Sequence, residues 1–303
     1  MIFLALAIVC STAIAVIFKL TEGRYDRMAL VTVNYAAAVG TASVVLAFDP
    51  PGRGLAAEPP LLLLGGGLGV LFVAGFVLFS RAIGVAGISL ATATMRLSVA
   101  IPFLASWLVW GEVPTVGQAL GLGVAATAFL LISRPTPAPP LPSASAPSPP
   151  RSPGLEAPTR PLLAFILLAL LFLAGGLVDT TLKVFEEEFA AENSRALFLL
   201  VVFTVAFVVG STVVVIRGLR SGRWPSTNVI GWGVLLGLVN YGSAEFMLLA
   251  LGHIPGTVAF PVNNVAVVAL ATLLGMSLWR EAFGAVHRVG LVLALAALVL
   301  FGF

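Results

Sequence analysis

The 303-residue chain is 59% hydrophobic and only 10% charged, with a net charge of +3 and a mean hydropathy of +1.09. Soluble domains carry about 25% charged residues, so these values exclude an ordinary soluble globular protein. The basic residues lie singly between apolar runs and form no nucleic-acid-binding cluster, and the single cysteine, Cys10, excludes an intrachain disulfide.

Runs of about 20 apolar residues recur along nearly the whole chain, the length that crosses a bilayer as a helix. Ten spanning helices are expected, near 2–20, 28–48, 60–83, 87–110, 114–133, 161–184, 194–217, 228–251, 257–279 and 284–302. No positive stretch precedes the first run, which is therefore read as a retained helix rather than a cleaved signal. Charge, Gly or Pro punctuates the corners, as at Gly84 to Gly87, Gly111 to Pro114 and His253 to Gly256.

Residues 134–160 are dense in Pro, Ser and Ala and are expected to form an extended linker. They divide the chain into a first five-helix repeat, 1–133, and a second, 161–303. Five is odd, so the second half enters the membrane in the opposite sense, which predicts inverted repeats. The sequence itself repeats. Trp110-Gly111-Glu112 and Trp279-Arg280-Glu281 are 169 residues apart, as are Gly87 and Gly256, and Gly121 and Gly290. At an offset of 168, Gly65 pairs with Gly233, Gly69 with Gly237 and Gly84 with Gly252. The fold class expected is an all-α membrane protein of ten transmembrane helices in two inverted five-helix repeats. Twelve Lys and Arg residues, Lys19 and Arg288 among them, fall in or near the loops after helices 1, 3, 5, 7 and 9, against three, Arg53, Lys183 and Arg195, on the other side. That bias places the first set of loops in the cytoplasm and both termini outside.

With its two five-helix halves, the Gly-containing corners before helices four and nine, the acidic corners Gly111-Glu112 and Arg280-Glu281, and the glycine-bearing last helices around Gly121 and Gly290, the chain resembles the drug/metabolite transporter (DMT) superfamily, EamA-like family. The resemblance covers everything but the linker. It implies a carrier of amino acids, nucleotide sugars, sugar phosphates or drugs, with both termini in the cytoplasm. Arg280 departs from the pattern, standing where the first copy has Gly111.

Charges within spanning segments are costly and tend to face a cavity or a partner. Arg96, mid-way along helix four, is read either as a bidentate clamp for a carboxylate or as half of a structural ion pair. Glu245, in helix eight with Tyr241 one turn before it and Asn240 beside that face, is read as a proton-exchanging or ammonium-binding group, or as the partner of Arg96. Asp179 and Lys183 are four residues apart on helix six and are placed to pair with each other. Lys183 also fits a snorkelling residue at the membrane boundary, as Lys19 does in the first half. Asn34 in helix two, and Asn263 and Asn264 just after Pro261 in helix nine, either line a cavity or hydrogen-bond between helices. Arg81, Glu112 and Glu281 read as structural corners, and the tryptophans as interface anchors.

No Gly-x-x-x-x-Gly-Lys-Ser/Thr loop, His-Glu-x-x-His or aspartate-rich motif occurs, so neither ATP drive nor a metal is called for, and no cofactor is expected. These features predict a secondary transporter, not an enzyme, in a bacterial inner membrane. It moves a small polar or amphipathic metabolite, an amino acid or organic anion, by rocking its halves, with proton coupling through Glu245. Its partners are the small-molecule substrate, the lipid bilayer and a proton. The competing reading is a membrane sensor or lipid-binding scaffold that transports nothing.

Overall fold

The computed structural model describes residues 1–49, 58–134, 161–222, 224–279 and 284–302. Most of the linker and the second acidic corner, Arg280-Glu281, lie outside the described residues. The described chain forms eleven helices: α1 (Ile2–Thr21), α2 (Arg27–Ala47), α3 (Pro59–Ala86), α4 (Ile88–Leu97), α5 (Ala100–Trp110), α6 (Val116–Ile132), α7 (Pro161–Glu188), α8 (Arg195–Ser221), α9 (Val229–Leu251), α10 (Gly256–Leu278) and α11 (Ala285–Phe301). Counting α4 and α5 as one, eight are long and apolar enough to cross a membrane; α6 and α11 are apolar but have 17 residues each. At 1.5 Å per residue those two reach about 25 Å, a little short of the ~30 Å hydrocarbon core. The outward surface is apolar: Leu63, Leu108 and Val292 are 77%, 72% and 64% exposed. In water such a surface would aggregate; it suits lipid. The protein is an all-helical integral membrane protein.

Helix ends follow local chemistry. Asp26 caps α2 by accepting from the Ala29 N–H at 2.8 Å. Thr115 and Gln118 form a reciprocal capping box at α6, and Ser194 caps α8. Gly87, at φ +84, makes the corner between α3 and α4, and Gly111, at φ +69, ends α5.

The long helices form a closed circuit of neighbours: α10, α1, α9, α2, α8, α3, α7, then α4–α5, and back to α10. Helices from the first half of the chain alternate with helices from the second all the way round. The halves interleave, so the expected rocking of one half against the other would break every interface in the ring. The α6–α11 pair lies outside the circuit, against α10 and α4. Within the ring, Tyr35, Phe72, Phe203 and Tyr241 form a chain of aromatic contacts at centroid separations of 5.9 to 6.4 Å.

Glycines set the closest seams. A Cβ at Gly69 would lie 2.4 Å from the Val202 carbonyl oxygen, and one at Gly237 would lie 2.4 Å from the Asn34 carbonyl oxygen. Gly65 likewise meets Val201, and Gly233 meets Val33; Gly121 meets Leu300, and Gly290 meets Leu131 and Ile132. Small residues let backbones approach in a setting where the hydrophobic effect does not hold helices together. Gly69→Ala and Gly237→Ala are therefore expected to cost about 1–3 kcal/mol each through overpacking. At Gly67 and Gly231 a Cβ would meet nothing within 4 Å, so both should accept Ala without loss. Thermal unfolding of the four variants in one detergent checks this; equal midpoints would refute the seams.

The fourth expected helix, 87–110, is broken at Ser98 and Val99. The cause is Pro102, which has no N–H to give the Ser98 carbonyl and whose ring crowds it. That carbonyl instead accepts from Ile101 N at 3.0 Å, a tighter three-residue turn. Pro261 leaves α10 continuous.

Candidate functional site

Arg96 occupies the last turn of α4, where a cation complements the partial negative charge of the helix end. Facing the break are Gly175 and Gly176 of α7. Cβ atoms there would lie 2.6 Å from Ser98 Oγ and 2.3 Å from Ile101 Cδ1. Only glycine admits this approach. Asp179 follows Gly175 by one turn and is thereby carried to the level of Arg96.

On the other side of α4–α5, the neighbouring helix α10 contributes Asn264. Arg96 Nη1 donates to Asn264 Oδ1 at 3.3 Å, Asn264 Nδ2 donates to the Phe260 carbonyl at 3.2 Å, and Asp179 lies near enough to interact electrostatically with both Arg96 and Asn264. Arg96 and Asp179 attract each other electrostatically without closing to the 4.0 Å of an ion pair. A cation, an anion and a neutral amide are thus gathered from three helices. All three residues are half-buried rather than sealed.

The other sequence candidates lie elsewhere. Glu245 does not meet Arg96: it accepts from the Tyr241 hydroxyl at 3.3 Å and its charged neighbours are Arg195, Asp49 and Glu186. Glu186 follows Asp179 by seven residues, about 10 Å along α7. Glu245 therefore belongs to a polar network near one end of the bundle. Lys183 does not pair with Asp179. Four-residue spacing works in both directions along a helix, and Lys183 turns to Glu187 and to Glu112. It is 1% exposed and lies 5.9 Å from the centre of the Trp110 ring, so it is not a snorkelling residue. Asn34 is buried in the α2–α9 seam, donating to the Val31 carbonyl at 3.4 Å, with its Oδ1 unpartnered. Asn263 is half-buried with an unpartnered Oδ1, and Asn240 is half-buried on α9.

The end of the bundle near Glu245 is heavily cross-linked. Glu112 joins Lys183 through one oxygen and accepts from Thr257 N at 3.2 Å through the other, tying the α5 corner to α7 and to the start of α10. Trp110 Nε1 donates to Glu188 at 3.2 Å; Arg195 forks onto Glu186; and Ser194 bonds Asp49. Glu112 is thus more than a corner residue. Glu112→Gln removes one charge facing Lys183 and leaves it with Glu187, which is 37% exposed. A loss of about 1–3 kcal/mol is expected, less than for a pair with no second partner. Thermal unfolding in detergent reads it, and an unchanged midpoint would show that the bridge is idle.

Gly175, Gly176 and Pro102 are not among the sequence candidates, although Gly-Gly one turn before an intramembrane aspartate is a visible signal. Among the described residues no group of three or more His, Cys, Asp or Glu is placed to hold a metal.

No family model matches the chain. It is 25% identical over 311 residues to an uncharacterized protein of Haemophilus influenzae, spanning 97% of this chain and 95% of that one. A solved crystal structure with 13% identity superposes with a TM-score of 0.73, over 99% of this chain and 94% of its own. That likeness extends over the whole bundle and concerns the fold alone.

Proposed function

We propose that the protein is a secondary transporter of the DMT superfamily, EamA-like, that moves a small polar or amphipathic metabolite across a bacterial inner membrane by alternating access. The observation that carries this reading is the gathering of Arg96, Asp179 and Asn264, two charged groups and an amide only part-buried where three apolar helices meet. Intramembrane charge of this kind belongs to substrate or ion pathways by default. The seams support ten spans in two inverted repeats. Val202 minus Asn34, Val201 minus Val33, and Leu300 minus Leu131 are 168, 168 and 169, the offsets that also relate the glycines they meet. Each seam thus has a counterpart with the halves exchanged. Two equivalent arrangements are what an alternating carrier needs and a static scaffold does not. Because the halves interleave, the motion shifts ring helices against one another. The cross-links from Glu112 close one end of the ring in this state, and the described charges at the end of α1, Lys19 and Glu22, are 46% and 48% exposed.

Purified protein should be stabilised against heat by a member of a panel of amino acids, nucleotides, sugars and organic anions. The same compound should exchange across proteoliposomes. Stabilisation without exchange would favour the sensor, and neither would end the reading. Proton coupling through Glu245 is part of the proposal. Glu245→Gln should exchange substrate yet lose accumulation driven by a pH gradient; full accumulation in that variant would remove Glu245 from coupling.

A further inference from the structure

The α6–α11 pair stands outside the helix circuit and turns one side to lipid. On α6 the exposed positions Leu120, Gly123, Thr127 and Leu130 form a single stripe at three- and four-residue spacing, and Arg134, exposed just past the helix end, continues it. Along this stripe Ala119, Leu120, Gly123, Val124 and Thr127, with Leu293 of α11, line a groove of about 320 Å³. Its walls are apolar: the Thr127 hydroxyl donates to the Gly123 carbonyl at 3.0 Å, and a Cβ at Gly123 would meet nothing within 4 Å. Arg134 lies two turns beyond Thr127, about 10 Å along the helix direction. There the two helices are tied together, His287 Nε2 donating to the Arg134 carbonyl at 2.7 Å. The next residue, Arg288, is also exposed, so two arginines stand at one end of the groove. We propose that the groove is a binding site for an anionic phospholipid, with an acyl chain lying along Gly123 and the phosphate held between Arg134 and Arg288. This site does not depend on the transport reading.

Charge selects the headgroup. Lys183 and Arg195 pair with carboxylates at the other end of the bundle, and Lys19 and Arg27 share Glu22. Arg134 and Arg288 form no ion pair among the described residues. Two like charges on adjoining helix ends repel each other, and an anion between them turns that repulsion into attraction. A phosphodiester presents two free oxygens, and each guanidinium offers parallel donors that fit them. A zwitterionic phospholipid carries the same phosphate but brings its own cation to the arginines, so a net negative headgroup is preferred. The lengths of the helices favour a lipid over a dissolved phosphate. At about 25 Å, α6 and α11 are short for a ~30 Å hydrocarbon core, and local thinning of the bilayer relieves such a mismatch. A lipid phosphate drawn onto arginines at the helix ends thins the leaflet at that place. A free phosphate would use the arginines and leave the groove empty.

The test is native mass spectrometry of the full chain, purified in detergent and titrated with phosphatidylglycerol or with phosphatidylcholine of the same acyl chains. Phosphatidylglycerol should bind about 30-fold more tightly, the attraction expected of two arginines toward an anionic headgroup. The Arg134→Gln, Arg288→Gln double variant should lower that preference to about threefold or less. Arg217→Gln, Arg220→Gln removes two exposed arginines from the end of α8 and should leave most of the preference in place. Gly123→Leu fills open space in the groove and alters no charge, and it should weaken both lipids about tenfold by denying the acyl chain its contact. Inorganic phosphate should not displace the lipid at matching concentration. Equal binding of the two lipids by the unaltered protein would overturn the proposal, and that comparison stands even if a variant folds poorly. An equal fall in the two double variants would replace the site with diffuse surface attraction. Unchanged binding in Gly123→Leu, or displacement of the lipid by inorganic phosphate, would remove the groove and leave an anion site with no lipid in it, which also ends the proposal.

Discussion

Arg96→Ala should abolish substrate binding and exchange, and the Arg96→Ala, Asp179→Asn double variant should fold better than Arg96→Ala alone. The single change removes the cation that interacts with Asp179 and leaves a half-buried carboxylate without it. Removing one member of a buried charged pair costs about 3–5 kcal/mol when the other stays charged. Neutralising Asp179 as well removes that cost, so the double variant should recover most of the lost thermal stability and none of the exchange. Arg96→Lys keeps the charge but loses the planar fork, and a substrate carboxylate held by two parallel hydrogen bonds would be held by one. A residual exchange of a few per cent is expected for it. Binding by calorimetry and exchange in proteoliposomes read the functional part, and unfolding midpoints read the structural part. Normal exchange in Arg96→Ala would remove the Arg96 site from the transport path. Recovery of exchange in the double variant would show instead that Arg96 serves only to neutralise Asp179.

The membrane class, the ten apolar segments and the paired glycines were legible in the sequence because each is a local property of composition or spacing. Which glycine meets which residue is a tertiary fact, yet the 168- and 169-residue offsets already contained it, since a duplicated seam must have a duplicated partner. Arg96, Asp179 and Asn264 were each visible as costly polar residues in apolar runs, but their meeting was not. Asp179 is four residues from Lys183 and 83 from Arg96, so sequence spacing favours the wrong partner. What decides is that Lys183 has Glu187 and Glu112 within reach, whereas Asp179 is brought to the α4 end by a glycine contact. Glu245 was misplaced for a related reason. Depth along a helix says how far a charge lies from the surface, not which neighbour faces it, and the neighbours of Glu245 come from the ends of α2, α7 and α8.

Gly176→Ala should do nearly as much damage as a change to a charged residue, although it adds one methyl group and alters no charge. The added Cβ would sit 2.3 Å from Ile101 Cδ1 and 2.5 Å from Ile101 Cβ. The second contact is close to the backbone, so a rotamer change cannot relieve it, and α7 must move away from the break. Overpacking of this kind costs about 1–3 kcal/mol. The larger consequence is for function: a shift of α7 moves Asp179 away from Asn264, and misplacement of a binding group by about 1 Å can cost on the order of 100-fold in rate. Exchange should therefore fall much further than stability. Ile101→Ala removes most of the clashing atoms, so Gly176→Ala, Ile101→Ala should regain exchange, leaving a shortfall set by the small cavity on the α5 side. Pro102→Ala tests the other half of the same contact. Restoring the N–H lets the Ser98 carbonyl take its ordinary helical bond, straightens α4–α5 and turns Ser98 and Ile101 off the glycines. If Gly176→Ala exchanged substrate normally at a normal midpoint, the close approach of α7 to the proline break would not be what positions Asp179, and the site would have to be held together by Asn264 and α10 alone.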